Sequence, residues 1–389
     1  MKNFIIASVF FSGALFQTSQ SFNNPEPDRD TEIINSGYSK AAALDSVMKQ
    51  YTTNLLPGAS VAVYSEAEGW WAGAKGYANM EKKIPMQTDH LQYLQSVSKT
   101  YMAVEILQLK EQGKIDLDAA MTKYLPAKYS RYIKDAGKMT VRMLLNHTSG
   151  APEYNQEPGF VSQVVLHPLE NFSLTECLQA IDGKDLQFEP GSRYLYTNTN
   201  YLLLSLIGDA ITGDHAAFIR DNIFEPLQLH NSYYKLNTKY LKGLNLPESY
   251  WDVFNAGVPV NVTAFQQMTV ACSKGDDGIV CTITDAVKFL KGLMEGKLLS
   301  PESMKEMMNF VTDEKGHKRY GMGMIYFDLN GTPAYGHGGG GIGAGCCLAY
   351  IPSKKVYVFL STNLNCFVDS NLSAKAAEMK DAILSVLMN

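Results

Sequence analysis

Ser96-Val97-Ser98-Lys99 sets a hydroxyl and an amine three residues apart. On a helix that spacing puts both on one face, one turn apart, so the amine lies beside the hydroxyl. Acyl transfer asks for such a pair: a nucleophile, a base within hydrogen-bond reach, and donors aimed at the oxygen that gains charge. If Ser96 opens the helix, its own N–H has no carbonyl ahead of it and is free to help receive an oxyanion. The same four-residue pattern recurs at Ser46-Val47-Met48-Lys49 and at Ser232-Tyr233-Tyr234-Lys235, so at least two of the three occurrences are coincidence. Ser98 reads as a helix residue near the site and not as a second nucleophile.

Other chemistries fit less well. The run Tyr335 to Gly343 formally contains Gly-x-Gly-x-x-Gly at Gly336, Gly338 and Gly341. A dinucleotide site needs a helix after those glycines, whereas Gly345 to Ile351 alternates like a strand, which excludes it. The glycines are expected instead to let a substrate backbone approach a strand edge. No Gly-x-Ser-x-Gly occurs, which speaks against an α/β-hydrolase. The seven histidines show no zinc-ligand spacing, so no metal is expected, and nothing implies a cofactor. A net charge of −5 with scattered Lys and Arg leaves no footprint for nucleic acid.

Further along lie Tyr196-Thr197-Asn198, within the segment Phe188 to Tyr201, and His337-Gly338-Gly339. Each is unremarkable alone: Tyr196 reads as a buried tyrosine and His337 as a loop histidine. Together with Ser96 to Lys99, and in this order, they resemble the three elements of the serine β-lactamase and penicillin-binding-protein superfamily. The Tyr-x-Asn and His-x-Gly forms look like the class C β-lactamase branch. That branch also holds D-alanyl-D-alanine carboxypeptidases, D-aminopeptidases and family VIII carboxylesterases. Gly113 to Asp118 running to Tyr124-Leu125-Pro126, Leu144 to Gly150, and Gly275 to Thr282 with Asp285 are similar to further signatures of the family. The likeness runs from about Gly58 to the carboxyl terminus.

The resemblance implies roles. Ser96 attacks the carbonyl and Lys99 helps take its proton. Tyr196 relays that proton to the leaving group, its phenol lowered by the Lys99 cation. Asn198 hydrogen-bonds substrate and Lys99, and His337 tunes the field around Tyr196. Gly338 and Gly339 contact substrate, and the N–H groups of Ser96 and Gly340 form the oxyanion hole. His147 belongs to a structural turn and carries no chemistry. In β-lactamases and DD-peptidases the position of Gly338 is usually Thr, whose hydroxyl helps bind the substrate carboxylate. Its loss points toward an ester, or a small amide or peptide. Acyl transfer to an alcohol, a true β-lactamase or DD-carboxypeptidase, and a non-catalytic ligand-binding homologue are the alternatives. The partner expected is a small-molecule acyl substrate, and the expected state a monomer.

These residues need a scaffold. Gly58 to Tyr64 alternates and is β-branched, Ser65 to Gly69 turns, and Trp70 to Ala78 returns, which predicts a hairpin. Lys99 to Gln112 carries Met102, Ile106 and Leu109 on one stripe, with Gly113 as the stop. Helical signals follow to Phe289, among them Tyr201 to Ile211 and Asp285 to Glu295. Tyr320 to Phe327, Ala344 to Ile351 and Val356 to Thr362 then read as antiparallel strands, and Ser373 to Leu387 as a closing helix. The order implies an α+β fold: an antiparallel sheet built from both chain ends, flanked by helices, with an inserted, mostly helical lobe, β-lactamase/transpeptidase-like in arrangement. The sheet lobe is expected over about 36–85 and 290–389, and the helical lobe over about 86–289.

Lys2, the apolar stretch Phe4 to Phe16 and the small or polar residues Gln17 to Ser21 follow the order of a secretory signal over 1–21. A disordered tail is expected over 22–35. No cysteine follows the apolar stretch, so the expected location is secreted or periplasmic without a lipid anchor. The six cysteines show no disulfide framework and read as buried free thiols, with Cys346 and Cys347 on opposite faces of a strand.

Overall fold

The computed structural model describes residues 34–234 and 241–389. The expected signal, 1–21, and most of the expected tail lie outside the described residues. The tail's last two residues are tied down: Ile34 bridges to Trp70, and the Asn35 N–H donates to the Trp70 carbonyl at 2.7 Å.

Nine strands form one antiparallel sheet. Its order is Ile84–Pro85, Gly69–Asn79, Gly58–Ser65, Val356–Thr362, Gly345–Ile351, Thr332–Gly340, Ile325–Leu329, Lys318–Tyr320 and Val311–Thr312. The β-branched strand Gly58–Ser65 joins the two chain ends, pairing Val61 with Gly73 on one side and with Leu360 on the other. Alternation then sorts side chains to two faces. Val61, Val63, Val358 and Cys347 pack beneath the terminal helices Ala41–Thr52 and Asn371–Met388. Ala62, Phe359, Leu348 and Cys346 face the main core with Phe289 of the helix Ile283–Met294. The adjacent cysteines therefore do part to opposite faces, and all six are free thiols.

The helical insertion is organised around Ser98–Glu111. This helix is buried on all sides, with Tyr101, Met102, Ile106 and Leu107 among its enclosed residues. Its Tyr101 ring stacks on Phe289, which locks the helix against the one that packs on the sheet. The expected lobe boundary at 289/290 falls inside the helix Ile283–Met294.

Tyr320 to Phe327 is not one strand. It folds back on itself as Lys318–Tyr320 and Ile325–Leu329, pairing Tyr320 with Ile325. The turn between them is imposed from outside. Gly323 sits at φ +69 against the Lys99 backbone, its carbonyl accepts from Thr100 Oγ1 at 2.6 Å, and the Met322 N–H donates to Met307.

Candidate active site

Ser96 lies in the 3₁₀ turn Gln95–Val97 that leads into the helix Ser98–Glu111. The turn is held on three sides. The Leu94 N–H donates to the Ile279 carbonyl at 3.0 Å, and the Ile279 N–H donates to Ser98 Oγ at 3.3 Å. Ser98 is thus a brace between the turn and the loop Asp276 to Ile279. On the remaining side the strand Thr332–Gly340 presses in: a Cβ on Gly339 would meet Leu94 O at 2.5 Å, Cys346 Sγ at 2.7 Å and Gln95 Cβ at 2.9 Å. Gln95 itself adopts φ +48, a left-handed conformation that a non-glycine residue holds only where its surroundings dictate it.

Lys99 is fully buried. Its ammonium has three protons and three acceptors: Ser96 Oγ at 3.0 Å, Asn198 Oδ1 at 2.7 Å and the Asp276 carbonyl at 2.8 Å. Asn198 opens the helix Asn198–Thr212, and its N–H donates to Glu153 Oε2 at 2.5 Å. Tyr196 lies over Lys99, Nζ being 5.2 Å from the ring centroid, and its hydroxyl interacts with both Lys99 and Ser96. Burial acts to lower the Lys99 ammonium, but Tyr196, Asp276 and Asp277 together outweigh it and raise the group above its ordinary value. Burial raises the Tyr196 phenol more than Lys99 and Ser96 lower it. The expected lowering by Lys99 is present but is overridden, and the resting pair is an ammonium beside a neutral phenol.

His337 is buried and bridges two partners. Its Nδ1 lies 2.6 Å from the Gly338 carbonyl and its Nε2 2.8 Å from the Tyr320 hydroxyl. A carbonyl only accepts, so Nδ1 carries the proton and Nε2 accepts from Tyr320. Burial first, and Lys99 second, push this imidazole down to about 3, so it is neutral and contributes no charge to the field at Tyr196. Its ring is 6.2 Å from that of Tyr196. His147 does more than shape a turn: its ring packs 4.3 Å from Tyr196, and its Nδ1 accepts from the Thr197 N–H. It is also neutral, lowered well below its ordinary value by burial and then by Lys99.

The Gly341 N–H donates to Ala344 across the sheet at 2.9 Å. Successive N–H groups of a strand point to opposite edges, so the Gly340 N–H faces away from Gly345–Ile351. The neighbouring strand on that side pairs only as far as Gly336, which leaves this edge open beside Ser96. A cleft of about 410 Å³ runs there, reaching Ser96, Tyr196, Asn198 and Gly340. Its far wall is apolar, with Phe160, Val164, Phe172 and Phe265. His337, Gly338 and Gly339 do not line it.

At Gly339 and Gly341 the glycine run serves the protein's own packing, while Gly340 and Gly341 also border the cleft. Side chains at Gly339 and Gly341 would collide with Gln95, and one at Gly340 with the Cys366 carbonyl at 2.8 Å. Gly338 is the open position, with nothing nearer than Cys346 O at 3.9 Å. The other two Ser-x-x-Lys matches sit elsewhere. Ser46 and Lys49 are exposed on Ala41–Thr52; Ser232 bonds Asp285 in a short strand, and Lys235 lies outside the described residues.

Three carboxyl groups surround Lys99: Glu153, which no motif marks, and Asp276 and Asp277, which belong to the Gly275 to Thr282 signature but have no role assigned by it. Burial raises Glu153 to about 7 despite two backbone N–H donors, and raises Asp277 to about 7 with Asp276 adding to it. Asp276 is raised as well, by burial against the pull of Lys99. Two of them sit side by side in Gly275-Asp276-Asp277-Gly278, a run legible in the sequence, but nothing local says that it folds against Lys99. Among the described residues no group of His, Cys, Asp and Glu is arranged to hold a metal.

The family model described as Beta-lactamase matches residues 44–379. Penicillin-binding protein 4* of Bacillus subtilis (strain 168) is 27% identical over 301 residues, 74% of this chain and 64% of that protein. Protein flp of Staphylococcus aureus (strain MW2) is 28% identical over 181 residues, 46% of this chain and 35% of that protein. The chain thus spans less than two thirds of either relative. Among solved structures, D-amino acid amidase from Ochrobactrum anthropi SV3, complexed with L-phenylalanine amide, aligns with a TM-score of 0.76 at 23% identity, covering 90% of this chain and 98% of that one. The octameric penicillin-binding protein homologue from Pyrococcus abyssi aligns with a TM-score of 0.70 at 24% identity, over 87% and 77%. Both likenesses concern the fold.

Proposed function

The chain belongs to the beta-lactamase family of serine hydrolases, and from that premise we propose that it is an exported enzyme that cleaves an ester or small amide through an acyl-enzyme on Ser96. The observation that carries the reading is Lys99 Nζ, bonded at once to Ser96 Oγ and Asn198 Oδ1 with Tyr196 above it, at the floor of a largely apolar cleft. Export rests on the amino-terminal segment Lys2 to Ser21 alone.

Ser96 Oγ attacks the carbonyl carbon as its proton passes to the Tyr196–Lys99 pair, after that pair has given up one proton to solvent. The N–H groups of Ser96 and Gly340 receive the oxyanion. The bond to the leaving group breaks as the pair returns a proton to it, and the acyl group remains on Ser96. Water then attacks the acyl-enzyme, and its proton follows the same route back to Ser96 Oγ. Because the resting pair holds an ammonium and a phenol, both raised, the active form gains population toward alkaline pH.

A β-lactam carries a carboxylate, and among the described residues the one cation at this site, Lys99, has no proton left to offer one. That favours an ester or amide without a carboxylate beside the carbonyl. The reading is tested with p-nitrophenyl butyrate: Ser96→Ala should lose turnover by about 10³-fold or more. Retention within tenfold of the parent rate would refute it.

A further inference from the structure

A second concavity lies away from the cleft, where the strands Gly58–Ser65 and Gly69–Asn79 meet the helix Ile283–Met294. It holds about 400 Å³, within the range of roughly 300–1,000 Å³ usual for small-ligand sites. On the first of these strands Ala59 aligns with Thr362, Gly345 and so with Gly340, beside the cleft. Tyr64, which lines the second concavity, is five residues further on and aligns with Tyr357. At about 3.4 Å per residue the two places are about 17 Å apart along the sheet. The pocket is therefore no extension of the cleft.

Its lining joins aromatic rings to cations. Tyr64 and Trp70 are directly opposed on adjacent strands, with their rings 5.1 Å apart at 57°. Trp70 is half-buried, whereas its neighbour Trp71 is buried on the opposite face of the sheet. Lys288, Lys291 and Lys297 stand beside the rings, and among the described residues no Asp or Glu lines the pocket. Lys291 Nζ lies 4.7 Å from the Tyr64 ring centre, which fixes one ammonium against the aromatic surface. The carboxylates paired with these lysines stand outside the lining. Glu295 is shared by Lys291 and Lys297, and buried Asp285, 3.7 Å from Lys288, also accepts from the Asn231 N–H and Ser232 Oγ. The remaining wall is irregular backbone. Pro226 to Gln228 close the pocket after the π turn Arg220–Phe224, with Gln228 at φ +55. That segment seats on the helix because position 292 is glycine: a Cβ there would stand 2.5 Å from Leu227 Cδ2. Irregularities of this kind, held in place by packing, cluster where a surface is shaped for a ligand.

We propose that this pocket binds an acidic saccharide, which rests the C–H groups of its pyranose ring on Tyr64 and Trp70 and sets its carboxylate among Lys288, Lys291 and Lys297. The tilt of the two rings selects the sugar. At 57° they form no parallel slot for a planar base or arene. A chair-shaped ring has weakly positive C–H groups pointing in several directions, so it meets both negative aromatic faces at once. The lysines select the charge, since each offers a point charge with rotatable donors and nothing in the lining opposes an anion. The assignment goes beyond the hydrolase reading and does not rest on it. It gives the enzyme a hold on an acidic glycan that leaves the cleft at Ser96 open.

Titration calorimetry and tryptophan fluorescence on the full chain at low salt test this, with trigalacturonate as the probe. Trigalacturonate should bind about tenfold or more tightly than maltotriose, which lacks the charge, and than citrate, which has the charge without the ring. The double variant Lys291→Gln, Lys297→Gln should weaken it by about tenfold. Trp70→Ala should weaken it by about tenfold as well and remove the fluorescence change. Should that variant melt early, Trp70→Leu keeps apolar bulk without the ring and gives the same reading. Turnover of p-nitrophenyl butyrate should stay within about twofold in all of them, because none of these residues lines the cleft. No binding, equal binding of citrate or maltotriose, tighter binding of the planar anion AMP, or unchanged affinity in the lysine or tryptophan variants would overturn the assignment. Absence of p-nitrophenyl butyrate turnover in the parent would instead strike the acyl-enzyme reading and leave this binding result standing.

Discussion

Replacing Asp277 by Asn should make the empty protein more stable above neutral pH. The carboxyl is held at about 7, chiefly by burial, against 3.8 for an ordinary aspartate. Between those two values the unfolded chain has lost the proton and the folded one has kept it. Folding therefore takes up a proton, and stability falls as pH rises from about 4 to about 7, then levels off for this group. At about 1.4 kcal/mol for each pH unit between the two values, the full effect is on the order of 4 kcal/mol as an upper bound. Asn keeps the oxygen that accepts from the Gly278 N–H and cannot ionise. The variant should match the parent near pH 4 and exceed it at pH 8 by roughly 2–4 kcal/mol. Glu153, held at about 7 for the same reason, leaves a shallower slope in the variant. Urea unfolding followed by tryptophan fluorescence at pH 5, 6, 7 and 8 measures this. A parent whose stability is flat or rises from pH 5 to 8, or a variant with the same slope as the parent, would refute the reasoning. A group that destabilises its own fold while sitting in a cleft fits a trade of stability for binding.

With a neutral ester, log(kcat/KM) should climb from about pH 7 to about pH 9, because one proton must leave the raised Lys99–Tyr196 pair; a profile falling over that range contradicts the resting state described. Gly339→Ala should push on the Ser96 turn through contacts at 2.5–2.9 Å, lowering kcat and costing about 1–3 kcal/mol in urea melts. Gly338→Ala, whose nearest neighbour is 3.9 Å away, should fold as the parent does, and equal effects at the two positions would show that the close approach is not what matters.

Some of this was legible in the chain. The Ser96–Lys99 relation is a property of one helical turn, and the hairpin from Gly58 to Asn79 follows from alternation and a local turn. Both need only neighbours in sequence. The break at Gly321 to Met324 does not, because it is enforced by Thr100 and Met307, which reach it from the insertion. The glycine run after His337 reads as room for a substrate, and Gly340 and Gly341 do border the cleft, but at Gly339 and Gly341 it also makes room for Gln95, more than 240 residues earlier. His337 looked like a group that tunes charge. Burial against Tyr320 decides that it is neutral, and Tyr320 carries no signal in sequence. The acidic groups at Glu153, Asp276 and Asp277 acquire meaning only through tertiary burial around Lys99.

The central claim is that Ser96 carries the acyl group. Mixing the protein with p-nitrophenyl butyrate, quenching in acid within milliseconds, and digesting for mass spectrometry tests this. The acyl mass is expected on the peptide that contains Ser96 and absent from Ser96→Ala. An adduct on another residue, or rapid turnover with no adduct on Ser96 at any quench time and full activity in Ser96→Ala, would contradict it.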